Sequence, residues 1–349
     1  MKIGKFKFTK NSPPYIIAEA GVNHNGSYEL AVRLVDEAAA AGAHAIKWQI
    51  YSAGKLCTRT APRFWEWEGE IKQNGTQYDS YAELDKFPLE EYRRLAKYCR
   101  ERGIEFLATP FDEEAVEFLE SIKVAAYKVA SCDCSNIPFL KYIARQQKPV
   151  LLSTGASSLE DIDEAVAAIE GEGNRQIVVL HCILKYPTPP EHANLEMIRT
   201  LKQRYARYPV GFSDHTLGVR CTLAAIACGA EVIEKHYTVD KKLPLSADHW
   251  LSVDPPELKE IVDGSAEIKQ AMGQPWARPL PIELPTFLNA RRSVVANRDI
   301  AMGTVIVAGM LTCKRPGTGL HPRHLESLIG KKARRDLRED DLVKIEDFV

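Results

Sequence analysis

The sequence predicts an α/β protein, a (β/α)8 TIM barrel followed by a small C-terminal β-rich domain. Three observations lead there. Short β-branched or apolar runs alternate with longer stretches of helical periodicity from residue 15 to about residue 272, the pattern of repeated βα units. Eight such units fit that span, and no Gly-x-Gly-x-x-Gly turn follows the first strand, so a closed barrel fits better than an open doubly wound sheet. The length of 349 residues also exceeds one ordinary domain, which makes one large and one small unit the expected arrangement.

The strand candidates in order are YIIAEA (15–20), HAIKWQI (44–50), IEFLAT (104–109), AAYKVAS (125–131), PVLLST (149–154), QIVVLHC (176–182), YPVGFS (208–213) and EVIEKH (231–236). Helical patterns lie between them. In YELAVRLVDEAAAAG, Leu30, Leu34, Val35 and Ala38 share one face, and Gly42 is placed to end the helix. SLEDIDEAVAAIEGEG offers Ser158 as N-cap and Asp161 at the capping-box position. The stretch 51–87 is too long for a βα turn and reads as an insertion after the second strand, with Trp65, Trp67, Tyr78 and Tyr81 expected over the barrel mouth as a lid. GQPWARPLPIELPTF (273–287) has four prolines and little periodicity, predicting an extended linker. Beyond it, short strands are broken by turns such as MGT and PGTG. The expected division is a barrel over 1–272, a linker over 273–288 and a second domain over 289–349.

With 46 basic and 47 acidic side chains the net charge is -1, which lacks the positive field of a nucleic-acid binder and favours a small-molecule partner. The N-terminus has no apolar core of a signal peptide and no run approaches a membrane span, so a cytoplasmic protein without membrane association is expected. The eight cysteines show no CxxC pairing and are expected to be reduced, buried thiols, including Cys132 and Cys134 in SCDCS.

In a barrel, polar residues at strand C-termini meet around the axis and read as catalytic. This chain places Glu19, Lys47, Gln49, Thr109, Lys128, Ser131, Ser153, Thr154, His181, Tyr186, Ser213, Asp214, His215, Glu234 and His236 at or near those ends. His215 in GFSDHT and His236 in EVIEKHYT each follow an apolar run. On neighbouring parallel strands they make half of a divalent-metal site, with positions left open for water and substrate. Taken singly, each reads as a strand-end histidine bonded to backbone. Lys47 and Lys128 in one barrel require neutralisation. Hydroxyls of Ser131, Ser153 and Ser213 beside them would complete a cradle for a phosphorylated or carboxylated ligand, and internal ion pairs with Glu19 and Glu234 are the alternative. Glu234 and Asp248 in SADHW are placed to orient a metal-bound water or exchange protons.

These residues resemble the sialic acid (nonulosonate) synthases. The resemblance spans essentially the whole chain and rests on IIAEAGVNHNG, AIKWQIY, FLATPFD, YKVAS, LLSTGAS, HCILKYPTPP, GFSDHT, IEKHYT and KRPGTG, in that order. It implies condensation of phosphoenolpyruvate with an N-acylated aminosugar, N-acetylmannosamine or a related diacetamido hexose, giving a nine-carbon nonulosonic acid and phosphate. His215 and His236 would ligate a divalent cation, manganese or magnesium. Lys47, Thr109, Lys128, Ser131, Ser153 and Ser213 would hold phosphoenolpyruvate. Glu19, Tyr186, Glu234 and Asp248 would surround the sugar, the metal and its water. The segment from about 289 is similar to the antifreeze-like (SAF) domain, and Arg315 in KRPG would reach the sugar in a second subunit's barrel, which implies a homodimer with exchanged C-terminal domains. HCILKYPTPPEHANL and GLHPR look closest to the branch associated with spore-coat polysaccharide synthesis.

The chain departs from the family pattern twice. Ile183 and Leu184, followed by Lys185, stand where well-known members carry a Thr-Asn pair, so an amide toward phosphoenolpyruvate is absent. LPLSADHW replaces a proline- and glycine-bearing loop before the acid. Two other readings compete. A 3-deoxy sugar-acid synthase acting on a phosphorylated aldose would need an arginine-rich second phosphate site, and a non-catalytic sugar-binding protein would not need strand-end acids, bases and metal ligands.

Overall fold

In the first unit each strand carries two apolar phases, because alternate side chains point to opposite faces. The computed structural model describes residues 1–65, 75–244, 246, 248–275 and 278–349. It divides into two units, Met1–Gly273 and Gln274–Val349. The first begins with a two-strand hairpin, β1 (Lys2–Ile3) and β2 (Phe6–Lys7), which the sequence pattern did not announce. The eight expected strands follow as β3 (Tyr15–Gly21), β4 (Ala45–Ile50), β5 (Glu105–Pro110), β6 (Tyr127–Val129), β7 (Val150–Ser153), β8 (Ile177–Cys182), β9 (Val210–Asp214) and β10 (Val232–His236). All are parallel in the order β5-β4-β3-β10-β9-β8-β7-β6, and β5 lies beside β6 to close a TIM barrel. Helices connect successive strands. Tyr28–Ala41 starts on a Ser27 cap and ends at Gly42 in the left-handed conformation, and Leu159–Gly171 starts with the Ser158/Asp161 capping box.

The outward phase, including Ile16, Ala18, Ile46, Trp48, Ala108, Leu152 and Val179, packs against the helices in one large apolar cluster. The inward phase, including Tyr15, Ile17, Ala45, Leu107, Ala126, Leu151, Val178, Leu180 and Val232, fills the lower barrel, where Ile3, Phe6 and Phe8 close its floor. Two residues further along seven of the eight strands the inward phase turns polar: Glu19, Lys47, Thr109, Lys128, Ser153, Ser213 and Glu234, all buried, while β8 brings in Cys182. The apolar layers thus act as a base on which a ring of ionisable groups is stacked. Gly211 belongs to this inward phase, and a Cβ there would lie 2.4 Å from the Val232 carbonyl oxygen, so only glycine lets β9 approach β10. A register shift in the β3–β4 ladder between Glu19 and Gly21, with Gly21 at φ 54°, turns the chain away from the barrel just after Glu19.

In the second unit, β11 (Ser293–Ala296) pairs antiparallel with β12 (Leu311–Lys314), and isolated bridges tie in residues 300, 305, 333, 337, 342 and 348. Val294, Ala296, Ile300, Ile306, Leu328, Leu337 and Val343 form its own core. The stretch expected as an extended linker instead carries a 3₁₀ turn at Pro281–Glu283 and a helix at Leu284–Asn289. Two of the four prolines, Pro281 and Pro285, sit in the first turn of these elements, where a missing N–H costs nothing.

Candidate active site

Period-two alternation delivers the polar layer to one cavity of about 260 Å³ at the C-terminal ends of the strands. Glu19, Lys47, Thr109, Lys128, Ser131 and Ser153 line it, as do Tyr186, Ser213, His215, Glu234, His236 and Asp248. Arg315 is exposed in the second unit, directly after β12. Three strand-end groups expected to converge are turned away. His181 gives its ring nitrogen to the Ala193 carbonyl, Thr154 donates to the Leu180 carbonyl, and Asp214 pairs with Lys235. Each lies one residue out of the inward phase.

On the cavity floor the two lysines meet two carboxylates. Lys47 Nζ is 2.7 Å from Glu19 Oε2 and 3.8 Å from Glu234 Oε2, and it donates to Thr109 Oγ1 at 2.9 Å. Lys128 Nζ lies 3.2 Å from Glu234 Oε1, which also accepts the Ser213 hydroxyl at 3.0 Å. Gln49 donates to Glu19 at 3.0 Å. Their surroundings push the two acids apart. Burial raises the Glu19 carboxyl above its ordinary range despite Lys47. At Glu234 burial acts the same way, but Lys128, Lys47 and Ser213 together outweigh it and hold the group low. Separation of this kind sorts neighbouring carboxyls toward acid and base roles. Ser131 Oγ accepts the Gly155 N–H at 2.9 Å and also bonds the Cys182 side chain, and the buried Ser153 Oγ has no hydrogen-bond partner among the described residues.

The rim is built by the histidines and the loop after β8. Tyr186 stacks on His215 with ring centroids 3.9 Å apart, and the His215 and His236 centroids are 5.4 Å apart. His215 Nδ1 lies 2.8 Å from the Ile183 carbonyl, so in the neutral ring that nitrogen carries the proton and Nε2 keeps its lone pair. Burial would lower this ring, but Cys182 and that carbonyl outweigh it and raise the ring above the ordinary histidine range. His236 Nδ1 is buried without a hydrogen-bond partner among the described residues, and burial followed by the positive charge around it keeps the ring neutral. Asp248 Oδ2 stands 3.6 Å from that nitrogen, and burial pushes the Asp248 carboxyl up to about 6. Two imidazoles this close, in their neutral forms, fit a single divalent ion whose other positions go to water and substrate, with metal–nitrogen bonds of about 2.1 Å. Among the described residues no cluster of three or more His, Cys, Asp or Glu side chains is arranged to hold a metal.

The cavity also has features that sequence reading passed over. Cys182, two residues beyond inward Leu180, lies in the cavity wall 3.8 Å from His215 Nδ1. All eight cysteines are free, but only Cys99, Cys134 and Cys182 are buried, and Cys132 is exposed. Leu184 lines the cavity where the expected amide is absent, and the exposed Lys185 lines it beside Leu184. From the insertion, Trp65 and Tyr81 line the upper wall with rings 5.7 Å apart, whereas Tyr78 carries the Arg59 guanidinium over its ring, 5.0 Å from the centroid. Trp67 lies outside the described residues. No helix among them is long and apolar enough to cross a membrane.

Residues 34–276 match the NeuB family and residues 291–349 match the SAF domain. The N,N'-diacetyllegionaminic acid synthase of Campylobacter jejuni is 36% identical over 94% of this chain and 98% of its own length. The crystal structure of a sialic acid synthetase from Leptospira borgpetersenii, in complex with citrate, superposes with a TM-score of 0.72 at 37% identity, covering 82% of this chain and 94% of that one. The spore coat polysaccharide biosynthesis protein SpsE of Bacillus subtilis, also solved, gives 0.68 at 35% identity over 100% and 99% of the two chains. With the barrel, its strand-end cavity and the C-terminal module all accounted for by these matches, the chain belongs to the NeuB family and carries a SAF domain.

Proposed function

We propose that this enzyme condenses phosphoenolpyruvate with an N-acylated aminosugar, N-acetylmannosamine or a related diacetamido hexose, releasing phosphate and a nonulosonic acid. The observation that carries this reading is the floor of the cavity. Two buried lysines, two carboxylates whose surroundings shift them in opposite directions and a serine hydroxyl without a partner among the described residues converge below a pair of histidines. The names of the relatives, synthases of sialic-type acids, support it.

Lys47 and Lys128 hold the phosphate and carboxylate of phosphoenolpyruvate, with donors from Ser131, Ser153, Ser213 and Thr109 completing the cradle. His215 and His236 would hold manganese or magnesium, which when bound supplies Lewis-acid polarisation of the open-chain sugar aldehyde. C3 of phosphoenolpyruvate bonds to the aldehyde carbon. Glu19, whose protonated form burial favours, is the carboxyl placed to exchange a proton with the oxygen that becomes a hydroxyl. Water then adds at the electron-poor C2 and yields one proton to Glu234, whose carboxylate form the lysines favour; the C2–O bond to phosphate then breaks as the new C2 hydroxyl loses its proton to the departing phosphate and becomes the keto group. Tyr186 and Asp248 border the sugar side, and Arg315 reaches it from the exchanged C-terminal domain of a second copy in a homodimer. No arginine lines the cavity among the described residues, which disfavours a phosphorylated acceptor.

The test is phosphate release from phosphoenolpyruvate with manganese and, in parallel, N-acetylmannosamine, a 2,4-diacetamido-trideoxyhexose or a phosphorylated aldose. Release with an acylated aminosugar that disappears in Glu234→Gln is expected. Release with the phosphorylated aldose alone would overturn the proposal.

A further inference from the structure

Behind the cavity, on the outward phase of β9 and β10, Lys235 Nζ and Asp214 Oδ2 lie 2.9 Å apart with side chains 1% and 0% exposed. Neither takes part in the chemistry above. Burying such a pair costs several kcal/mol per ion, and apolar residues of similar size commonly replace one with no loss of stability. Its placement explains it better than its energy does.

His215 stands one residue beyond the end of β9, where no ladder bond fixes it, because the register of β9 with β10 stops at Asp214 opposite Lys235. The buried pair takes over at that point. Asp214 Oδ1 accepts the Thr216 N–H at 2.7 Å, and Oδ2 accepts the Thr222 hydroxyl at 2.5 Å. Lys235 donates to the Thr216 carbonyl as well. The residue after His215 is therefore gripped at both its N–H and its C=O, while the His215 carbonyl accepts the Thr188 N–H at 2.8 Å. Lys235 is itself flanked by Glu234 and His236, which face the cavity. One ion pair thus ties together, from outside, the two strand ends that present both imidazoles inside.

We propose that Asp214 and Lys235 are a positioning pair that fixes the separation and orientation of the His215 and His236 rings for a divalent cation. This inference rests on the cation site proposed above. The test is calorimetric titration of manganese into the metal-stripped full chain, alongside thermal unfolding, for the wild type, the apolar double variant D214L/K235M and the milder Thr222→Val. The double variant is expected to fold with a melting temperature close to wild type yet bind manganese about tenfold or more weakly, the usual effect of removing groups that orient metal ligands. Thr222→Val keeps the side-chain volume and the ion pair, and a two- to fivefold weakening, a small effect on the order seen for a single lost orienting bond, is expected. Wild-type affinity in both variants would overturn the proposal. So would failure of the double variant to fold combined with unchanged affinity in Thr222→Val, because the pair would then serve the fold alone. A wild type that binds no manganese would instead refute the cation site itself.

Discussion

Lys128→Met is expected to reverse the pH dependence that Glu234 imposes on the stability of the barrel. Lys128 Nζ is 3.2 Å from Glu234 Oε1, with side chains 5% and 6% exposed. At an effective dielectric of about 20 that contact amounts to about 5 kcal/mol of attraction. The remaining partner, Lys47, is 3.8 Å away and already engaged with Glu19 at 2.7 Å. Breaking the pair leaves a buried charge undercompensated, at a cost of about 3–5 kcal/mol. In the wild type Glu234 is held below its ordinary range despite burial. It therefore adds stability above its unfolded value of about 4.3, and that stability is lost as pH falls through the lower folded value. In the variant burial prevails and the folded value rises above the unfolded one. The group then costs stability at neutral pH, and the cost is relieved on acidification. Urea unfolding of both proteins between pH 5 and 8, without substrate or metal, measures this. The deficit of the variant should approach 3–5 kcal/mol, on the order given above, at the alkaline end, shrink toward pH 5, and be largely recovered by adding Glu234→Gln. A deficit that is constant with pH, or that the second substitution leaves in place, would refute the reasoning.

Ser153→Ala removes a hydroxyl with no protein partner, so its melting temperature should hardly change while KM for phosphoenolpyruvate rises about tenfold, the worth of one bond to a charged group. Steady-state kinetics with unchanged KM would take Ser153 out of the cradle. Gly211→Ala places a methyl 2.4 Å from the Val232 carbonyl oxygen and should destabilise the barrel by about 3 kcal/mol or more, and denaturant unfolding with less than about 1 kcal/mol of change would contradict the close approach of β9 to β10. His236→Ala, whose Nδ1 has no hydrogen bond to lose, should keep a folded barrel but abolish metal-dependent phosphate release. Full activity of that variant in chelator would remove His236 from the cation site.

The strands were legible because each is a short apolar run whose two phases are both buried. The sequence Tyr15, Ile17, Glu19 and its counterpart Val232, Glu234, His236 shows the inward phase turning from apolar to ionisable as the strand rises. His181, Thr154 and Asp214 were misread because position at a strand end says nothing about phase. Counting by two from Leu180 and Gly211 sends Cys182 and Ser213 inward and their neighbours out. His215 escapes that count by lying past the strand, where loop contacts determine its direction. Composition could not decide whether the lysines await an anion or pair internally. The coordinates show both lysines within ion-pair distance of carboxylates, because two ammonium groups buried at the bottom of the barrel need countercharge before any ligand arrives. The N-terminal hairpin has strands of two residues each, too short to leave a periodic signal.

That hairpin has a kinetic consequence. With Ile3, Phe6 and Phe8 stoppering the lower end, the barrel is a well with a single opening, and its lysine-lined bottom lies beneath the histidine-ringed neck. Whatever occupies the bottom must descend before the neck is filled and can climb out only after the neck is vacated. For the proposed reaction this shape predicts ordered turnover, with the anion entering ahead of the sugar and inorganic phosphate departing behind the finished acid, an order that product-inhibition kinetics would check.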